Sequence, residues 1–166
     1  MTHPIIVTGP QRSGTRLAAH IIARDTNRTF VDELDYTFNL PPDSVVQAPL
    51  ILDTFIYHAY IYPDAQFVFM YRDPSDIVAS MKRIKWMQDY IQDPQFYYDH
   101  ITLQYNIIDQ IKPLIPNRYI DLQYDSLKSD PLFVTDRSSF TSKQHLPNTP
   151  NGPKYWCSND YSRPIT

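Results

Sequence analysis

The chain has 166 residues, of which 42% are hydrophobic and 20% charged, and its formal net charge is −3 at pH 7. This length suits a single domain over residues 1–166, and the composition is that of an ordinary globular protein. The slightly acidic charge gives no support to a nucleic-acid partner, and one cysteine excludes an internal disulfide and a four-cysteine zinc site.

Membrane attachment and secretion find no support in the sequence either. No apolar run approaches the roughly 20 residues that are needed to span a bilayer. The first residues lead directly into a strand-like run, without the pattern of a signal peptide. We therefore expect a cytoplasmic protein with no membrane partner.

Short apolar runs alternate along the chain with segments of helical periodicity. The apolar runs predict strands at residues 5–7, 29–31, 45–46, 66–71 and 119–124. The periodic segments predict helices at residues 15–24, 50–62, 74–91 and 94–111. An Asp-Pro pair precedes the last two helices, which is typical of a helix start because the aspartate caps the helix and proline fits its first turn.

Strands that alternate with helices favour an α/β fold, with a mostly parallel sheet and helices on both of its faces. We assign residues 1–131 to this three-layer core. From residue 132 to residue 166, Ser, Thr, Asn and Pro dominate without any period. That composition predicts an irregular C-terminal tail.

The sharpest motif is the loop between the first strand and the first helix, where an anion would meet unpaired helix amides and the positive end of the helix dipole. Gly9 and Gly14, two of only three glycines in the chain, let the loop wrap a phosphate. Further donors are two arginines and two hydroxyls: Arg12, Arg16, Ser13 and Thr15. The loop predicts a phosphate site on a P-loop NTPase-like domain.

This loop departs from the nucleoside-triphosphatase motif G-x-x-x-x-G-K-[ST]. Gly9 and Gly14 have the spacing of its two glycines, but Thr15 and Arg16 stand where it has lysine and a hydroxyl. ATP or GTP hydrolysis is therefore disfavoured. A small P-loop kinase or other nucleotide phosphotransferase stays open as an alternative, as does a strand-to-helix turn with incidental arginines.

The loop resembles the 5′-phosphosulfate-binding loop of sulfotransferases that use 3′-phosphoadenosine 5′-phosphosulfate (PAPS). The resemblance rests on Pro10-Gln11-Arg12-Ser13-Gly14-Thr15. An arginine before Ser-Gly-Thr is most similar to the tyrosylprotein and bacterial sulfotransferases. The resemblance implies that donor binding involves Gly9, Gln11, Arg12, Ser13, Gly14, Thr15 and Arg16.

A second segment, from Phe67 to Ser80, resembles the part of these enzymes that binds the 3′-phosphate. There, a strand ends in an arginine and a serine follows on the next helix, as Arg72 and Ser80 do here. An arginine at the carboxyl end of a strand points into the crevice where α/β proteins bind ligands. The alternative for Arg72 is an ion pair with Asp73 or Asp76.

A third, weaker match runs from Tyr124 to Pro131 and resembles a segment whose tyrosine contacts the adenine; Tyr124 is equally compatible with a role in the core. The basic late loop of these enzymes has no clear equivalent, and Ser142-Lys143 or Lys154 are possible substitutes. A shortened, non-catalytic nucleotide-binding relative is therefore another alternative.

Taken together, the resemblance implies transfer of a sulfuryl group from PAPS to a hydroxyl or amine, with 3′-phosphoadenosine 5′-phosphate (PAP) as product and no metal. We predict Glu33 as the general base, because the resemblance places a catalytic glutamate here and Asp32 can raise its pKa. Arg12 would stabilise the negative charge on the bridging oxygen and the leaving phosphate, because arginine keeps its proton. His20 and His58 are rival bases.

The acceptor is open to a small molecule, a sugar or a peptide, and the oligomeric state is not indicated. Aromatic residues predict either an acceptor pocket or, more simply, the packing of two helices. They are Trp86, Tyr90, Phe96, Tyr97, Tyr98 and Tyr105. No histidine or cysteine cluster has the spacing of a metal site.

Overall fold

The computed structural model describes residues 3–33, 39–83 and 93–130. In these ranges, strands and helices alternate along the chain. The strands are β1 (Ile5–Thr8), β2 (Thr29–Val31), β3 (Ser44–Gln47), β4 (Gln66–Tyr71) and β5 (Tyr119–Gln123). The α-helices are α1 (Thr15–Thr26), α2 (Phe55–Ile61), α3 (Pro74–Arg83) and α4 (Pro94–Ile111).

The five strands form one parallel sheet in the order β2-β3-β1-β4-β5. In the central strand, Val7 lies opposite Gln47 of β3 on one side and Val68 of β4 on the other. The chain first builds the β3 side of β1 and then crosses to the β4 side. Such a switch point creates a crevice at the carboxyl ends of the strands, where α/β proteins bind ligands.

Alternating side chains of the central strands pack into two cores, one on each face of the sheet. Val7 and Val68 contribute to the core that includes α1, whereas Ile6, Phe67 and Phe69 contribute to the core that includes α2 and α4. Strands that are apolar on both faces are typical of a parallel sheet covered by helices. The predicted three-layer α/β fold is confirmed.

The ends of the helices follow local sequence signals. α1 ends at Thr26, and Asn27 closes it in the left-handed conformation with φ 54°. α4 begins at Pro94, where the carboxylate of Asp93 accepts a hydrogen bond from the backbone amide of Gln95 at 2.9 Å. The cap predicted from the Asp-Pro pair is thus present.

Two predicted elements differ from those observed. Residues 50–62 do not form one α-helix, because a 3₁₀ helix (Pro49–Thr54) precedes α2 and is wound more tightly, with Thr54 Oγ1 donating to the carbonyl of Ile51 at 3.3 Å. The last strand ends at Gln123, since Tyr124 already begins another 3₁₀ helix (Tyr124–Ser129).

A buried ion pair joins the end of this last 3₁₀ helix to α1. The guanidinium of Arg24 donates to both carboxylate oxygens of Asp130, at 3.0 and 2.8 Å. Their side chains are 3% and 0% exposed. The pair holds the segment after β5 against α1, and it therefore also fixes the position of Tyr124.

Several predictions fall outside the described ranges, namely the end of the helix at residues 74–91 and the tail at residues 132–166. The assignment of residues 1–166 to a single domain stays a prediction. Within the described ranges, no helix is both long and apolar enough to cross a lipid bilayer.

Candidate functional site

The loop between β1 and α1 lies in the crevice and depends on its two glycines. A Cβ atom on Gly9 would lie 2.8 Å from the carbonyl oxygen of Met70 in the neighbouring strand. Gly14 has φ +102°, and a Cβ atom there would lie 2.5 Å from the ring of Tyr124. Both positions therefore exclude a larger residue, and Gly14 also needs a backbone conformation that L-residues rarely adopt.

Arg12 connects the loop to two other elements. Its φ of 69° is left-handed, which is uncommon for a residue other than glycine. Its backbone carbonyl accepts a hydrogen bond from Arg72 Nη1 at 3.1 Å, and its own Nε donates to Ser80 Oγ at 3.3 Å. The loop, the end of β4 and α3 thus meet at Arg12.

Arg72 is held in place by neighbours of several kinds. Its guanidinium carbon lies 4.1 Å from the centre of the Tyr124 ring, and its backbone amide donates to Tyr105 Oη at 3.0 Å. Its Nε is buried and has no hydrogen-bond partner among the described residues. Asp73, the alternative partner, instead accepts a hydrogen bond from the Ser75 amide at 2.7 Å. Arg72 therefore faces the crevice with donor capacity left over.

These elements enclose a cavity of about 370 Å³. The loop and α1 contribute Gln11, Arg12, Gly14, Thr15 and Arg16. The ends of the neighbouring strands contribute Glu33, Arg72 and Tyr124. Three guanidinium groups and the start of a helix surround one space, which is an arrangement suited to phosphate or sulfate groups.

Three predicted site residues lie beneath the loop and do not line the cavity. Gly9 and Ser13 are buried, and Ser80 is buried under Arg12. Ser13 Oγ has no hydrogen-bond partner within the described residues.

The two neighbouring acids take different positions. Asp32 forms an ion pair with Arg16 at 3.2 Å, whereas Glu33 lines the cavity and accepts a hydrogen bond from Gln11 Nε2 at 3.4 Å. Burial raises the pKa of Glu33, and Asp32 adds to the rise, while the hydrogen bond from Gln11 opposes it. A raised pKa strengthens a carboxylate as a base.

The two histidines that rivalled Glu33 do not line the cavity. His20 is buried on α1 and stacks on Phe30, with the ring centres 3.8 Å apart. His58 is buried on α2. Burial lowers the pKa of both, in the case of His20 to about 4. Both are positioned as neutral core residues.

Sequence reasoning missed Gln47, which ends β3 and lines the cavity. Its Oε1 is buried and finds no hydrogen-bond partner in the part of the chain that the structure describes. A polar residue directly after a buried β-branched run was the available signal, because strand ends line the crevice of an α/β sheet.

The aromatic residues between α3 and the end of α4 do not form one pocket. Tyr105 stacks on Tyr71 at 5.0 Å, which is core packing, and Phe96 and Tyr98 are exposed. Tyr97 lines a second, smaller cavity. Trp86 and Tyr90 lie outside the described residues, as do the proposed late-loop substitutes at residues 142–154.

Comparison with known proteins supports the sequence resemblance. A model described as the sulfotransferase family matches residues 23–137, which is more than half of the chain. The matched range contains Glu33, Arg72, Ser80 and Tyr124 but begins after the loop. The resemblance of the loop therefore supports the same family independently of this match. A search of curated proteins found no match. The chain belongs to the sulfotransferase family.

Proposed function

We propose that the chain transfers a sulfuryl group from PAPS to a hydroxyl or amine acceptor. The observation that carries this proposal is the shared cavity of Arg12 and Arg72, which come from separate motifs and are joined by a hydrogen bond at 3.1 Å. PAPS carries two anionic groups, the 5′-phosphosulfate and the 3′-phosphate, and a cavity that binds it needs a cationic side chain for each. Two arginines that line one cavity fit a donor of this kind.

The residues present fit this donor. The loop and Arg12 would hold the 5′-phosphosulfate, Arg72 the 3′-phosphate and Tyr124 the adenine, while Ser80 supports the side chain of Arg12. Arginine suits both anionic ends because its planar donors match phosphate oxygens. Arg72 lines the cavity, and its Nε, unpaired among the described residues, is a donor that such a ligand would satisfy. A volume of about 370 Å³ lies within the usual range of ligand sites.

PAPS, when bound, supplies a sulfuryl group that is activated by its link to a phosphate. Glu33 would take the proton of the acceptor while the acceptor oxygen or nitrogen bonds to sulfur. The bond between sulfur and the phosphate oxygen breaks, and its electron pair stays on the phosphate. Arg12 would stabilise that charge by electrostatics, since arginine keeps its proton.

Calorimetric titration with PAP, compared with ATP and magnesium, tests the donor. We expect PAP to bind and Arg72→Ala to weaken it about 10- to 100-fold, as loss of a charge-assisted hydrogen bond does, with an unchanged melting temperature. Arg83→Ala is the matched control, because Arg83 is exposed at the end of α3. Binding of ATP with magnesium alone would refute the proposal in favour of a phosphotransferase.

A shortened, non-catalytic relative would also bind PAP. A sulfate-transfer assay over phenols, sugars and peptides separates the two possibilities, with Arg12→Ala as the control for catalysis. Transfer that depends on Arg12 supports an enzyme, whereas PAP binding without transfer to any acceptor class supports the non-catalytic relative.

A further inference from the structure

A second cavity of about 230 Å³ lies on the other side of the loop. Its walls come from the loop, the 3₁₀ helix at Pro49–Thr54, the end of α3 and the first half of α4. Of the aromatic residues for which the sequence left an acceptor pocket open, Tyr97 lines this cavity. Its position beside the donor cavity raises the question of what it binds.

The lining of this cavity is mainly apolar. Its apolar part includes Leu50, Leu52, Met81, Tyr97 and Ile101. Asp53 and Gln104 lie at its exposed side and bond to each other, with Gln104 Nε2 donating to Asp53 Oδ1 at 3.2 Å. Among the described residues, no arginine or lysine lines it. Its titratable side chains other than Tyr97 are Asp53 and His100, so this cavity lacks the cluster of guanidinium groups that lines the donor cavity.

Gln11 connects the two cavities, since it lines both. Its side-chain amide also donates to Glu33, the proposed base, at 3.4 Å. A molecule whose apolar body lies in the second cavity would therefore bring a hydroxyl group to Gln11, next to Glu33. Proton removal by Glu33 requires such proximity.

We infer that the second cavity is the acceptor site and takes a small, uncharged hydroxyl compound with an apolar body, such as a single-ring phenol. This inference rests on the proposed sulfuryl transfer. The volume is below the roughly 300 Å³ at which sites for drug-sized ligands begin, which limits the acceptor to about one ring. A sugar would bury several hydroxyls against Leu50, Leu52 and Met81, and unpaired polar groups are costly there.

The probe is 4-nitrophenol, observed by saturation-transfer NMR, and PAP binding is measured on the same samples by calorimetry. Leu50→Glu places a charge in the cavity, and Leu103→Glu is the matched control on α4. Leu50 is 68% exposed and Leu103 is 55% exposed, so both changes spare the core. Leu103 does not line the cavity.

We expect 4-nitrophenol to bind the unmodified protein and Leu103→Glu equally, and Leu50→Glu at least about tenfold more weakly, because the change replaces apolar contact with the phenol ring by a hydrated carboxylate. PAP affinity should be the same in all three proteins. Equal phenol affinity in Leu50→Glu, or binding of N-acetylglucosamine in place of the phenol, would overturn the inference. Failure of PAP to bind the unmodified protein would instead refute the proposed function and, with it, the acceptor role.

Discussion

The guanidinium carbon of Arg72 lies over the Tyr124 ring, 4.1 Å from its centre. The two residues are far apart in the sequence, but each directly follows a strand, and these strands pair in parallel with Tyr71 opposite Gln123. Strand pairing alone therefore brings them together. Because a stacked guanidinium keeps its edge free for hydrogen bonds, the ring orients Arg72 toward the cavity before any ligand arrives.

The pKa of Glu33 can be measured directly, because Glu33 is the only glutamate in the chain. Labelling glutamate with ¹³C should give one carboxyl resonance, and its pH titration reports the pKa. We expect a value above the ordinary 4.5, since burial raises it. Gln11→Ala should raise it further by removing a hydrogen bond to the charged form. A titration at or below 4.5 would contradict the position of Glu33 in the cavity.

Glu33→Gln should lower kcat by about 10²- to 10⁴-fold, the usual contribution of a general base, and leave PAP affinity nearly unchanged. A base acts only when ionised, so the activity of the unmodified enzyme should rise with pH through the raised pKa of Glu33. Glu33→Gln should lack this acidic limb. Steady-state kinetics from pH 4 to 9 test both expectations. If kcat of Glu33→Gln were within tenfold of the kcat of the unmodified enzyme, Glu33 would not be the general base.

Gly14→Ala should destabilise the protein by about 1–3 kcal/mol and weaken PAP binding, because it combines backbone strain with a clash against Tyr124. Tyr124→Ala removes the clash but not the strain. Urea denaturation of both single variants and the double variant should therefore show a smaller cost of Gly14→Ala when Tyr124 is absent. Additive costs would mean that the close contact does not limit this position.

Asp130→Ala should destabilise the protein by about 1–3 kcal/mol, because Arg24 loses two buried hydrogen bonds to Asp130 but keeps its ion pair with Asp25 at 2.6 Å. Asp125→Ala is the control, since Asp125 pairs with Lys128 at the surface and should change stability little. Urea denaturation compares the two. A cost of Asp130→Ala no larger than that of Asp125→Ala would contradict a stabilising role of the buried ion pair.

Local sequence patterns predicted the fold well, because strands and helices form mainly according to the residues that are near one another in the chain. Apolar runs marked the strands, and the Asp-Pro pair marked the start of α4 at Pro94. The loop and Arg72 were also accessible, since strand ends point to one edge of a parallel sheet. The lengths of the strands could not be predicted from the sequence. Nor could the 3₁₀ winding at Pro49–Thr54, because periods of 3.0 and 3.6 residues differ little over six residues.

Contacts between distant segments account for what the sequence did not reveal. Nothing in the local sequence pairs Arg24 with Asp130, and nothing places Leu50 beside Tyr97 in the second cavity. Both relationships depend on how α1 and α4 pack on the sheet. The positions of Arg16 and Gln11 likewise explain why Asp32 forms an ion pair whereas Glu33 accepts a hydrogen bond.

The left-handed backbone of Arg12 has a consequence for reading related sequences. With φ at 69°, this position would be more comfortable for glycine or asparagine. The side chain of Arg12 bonds to Ser80 and lines the cavity, so glycine or asparagine here would relieve the backbone but remove a cation from the proposed donor site. A related sequence with glycine or asparagine at this position is therefore expected to have a less strained loop and a lower affinity for an anionic donor.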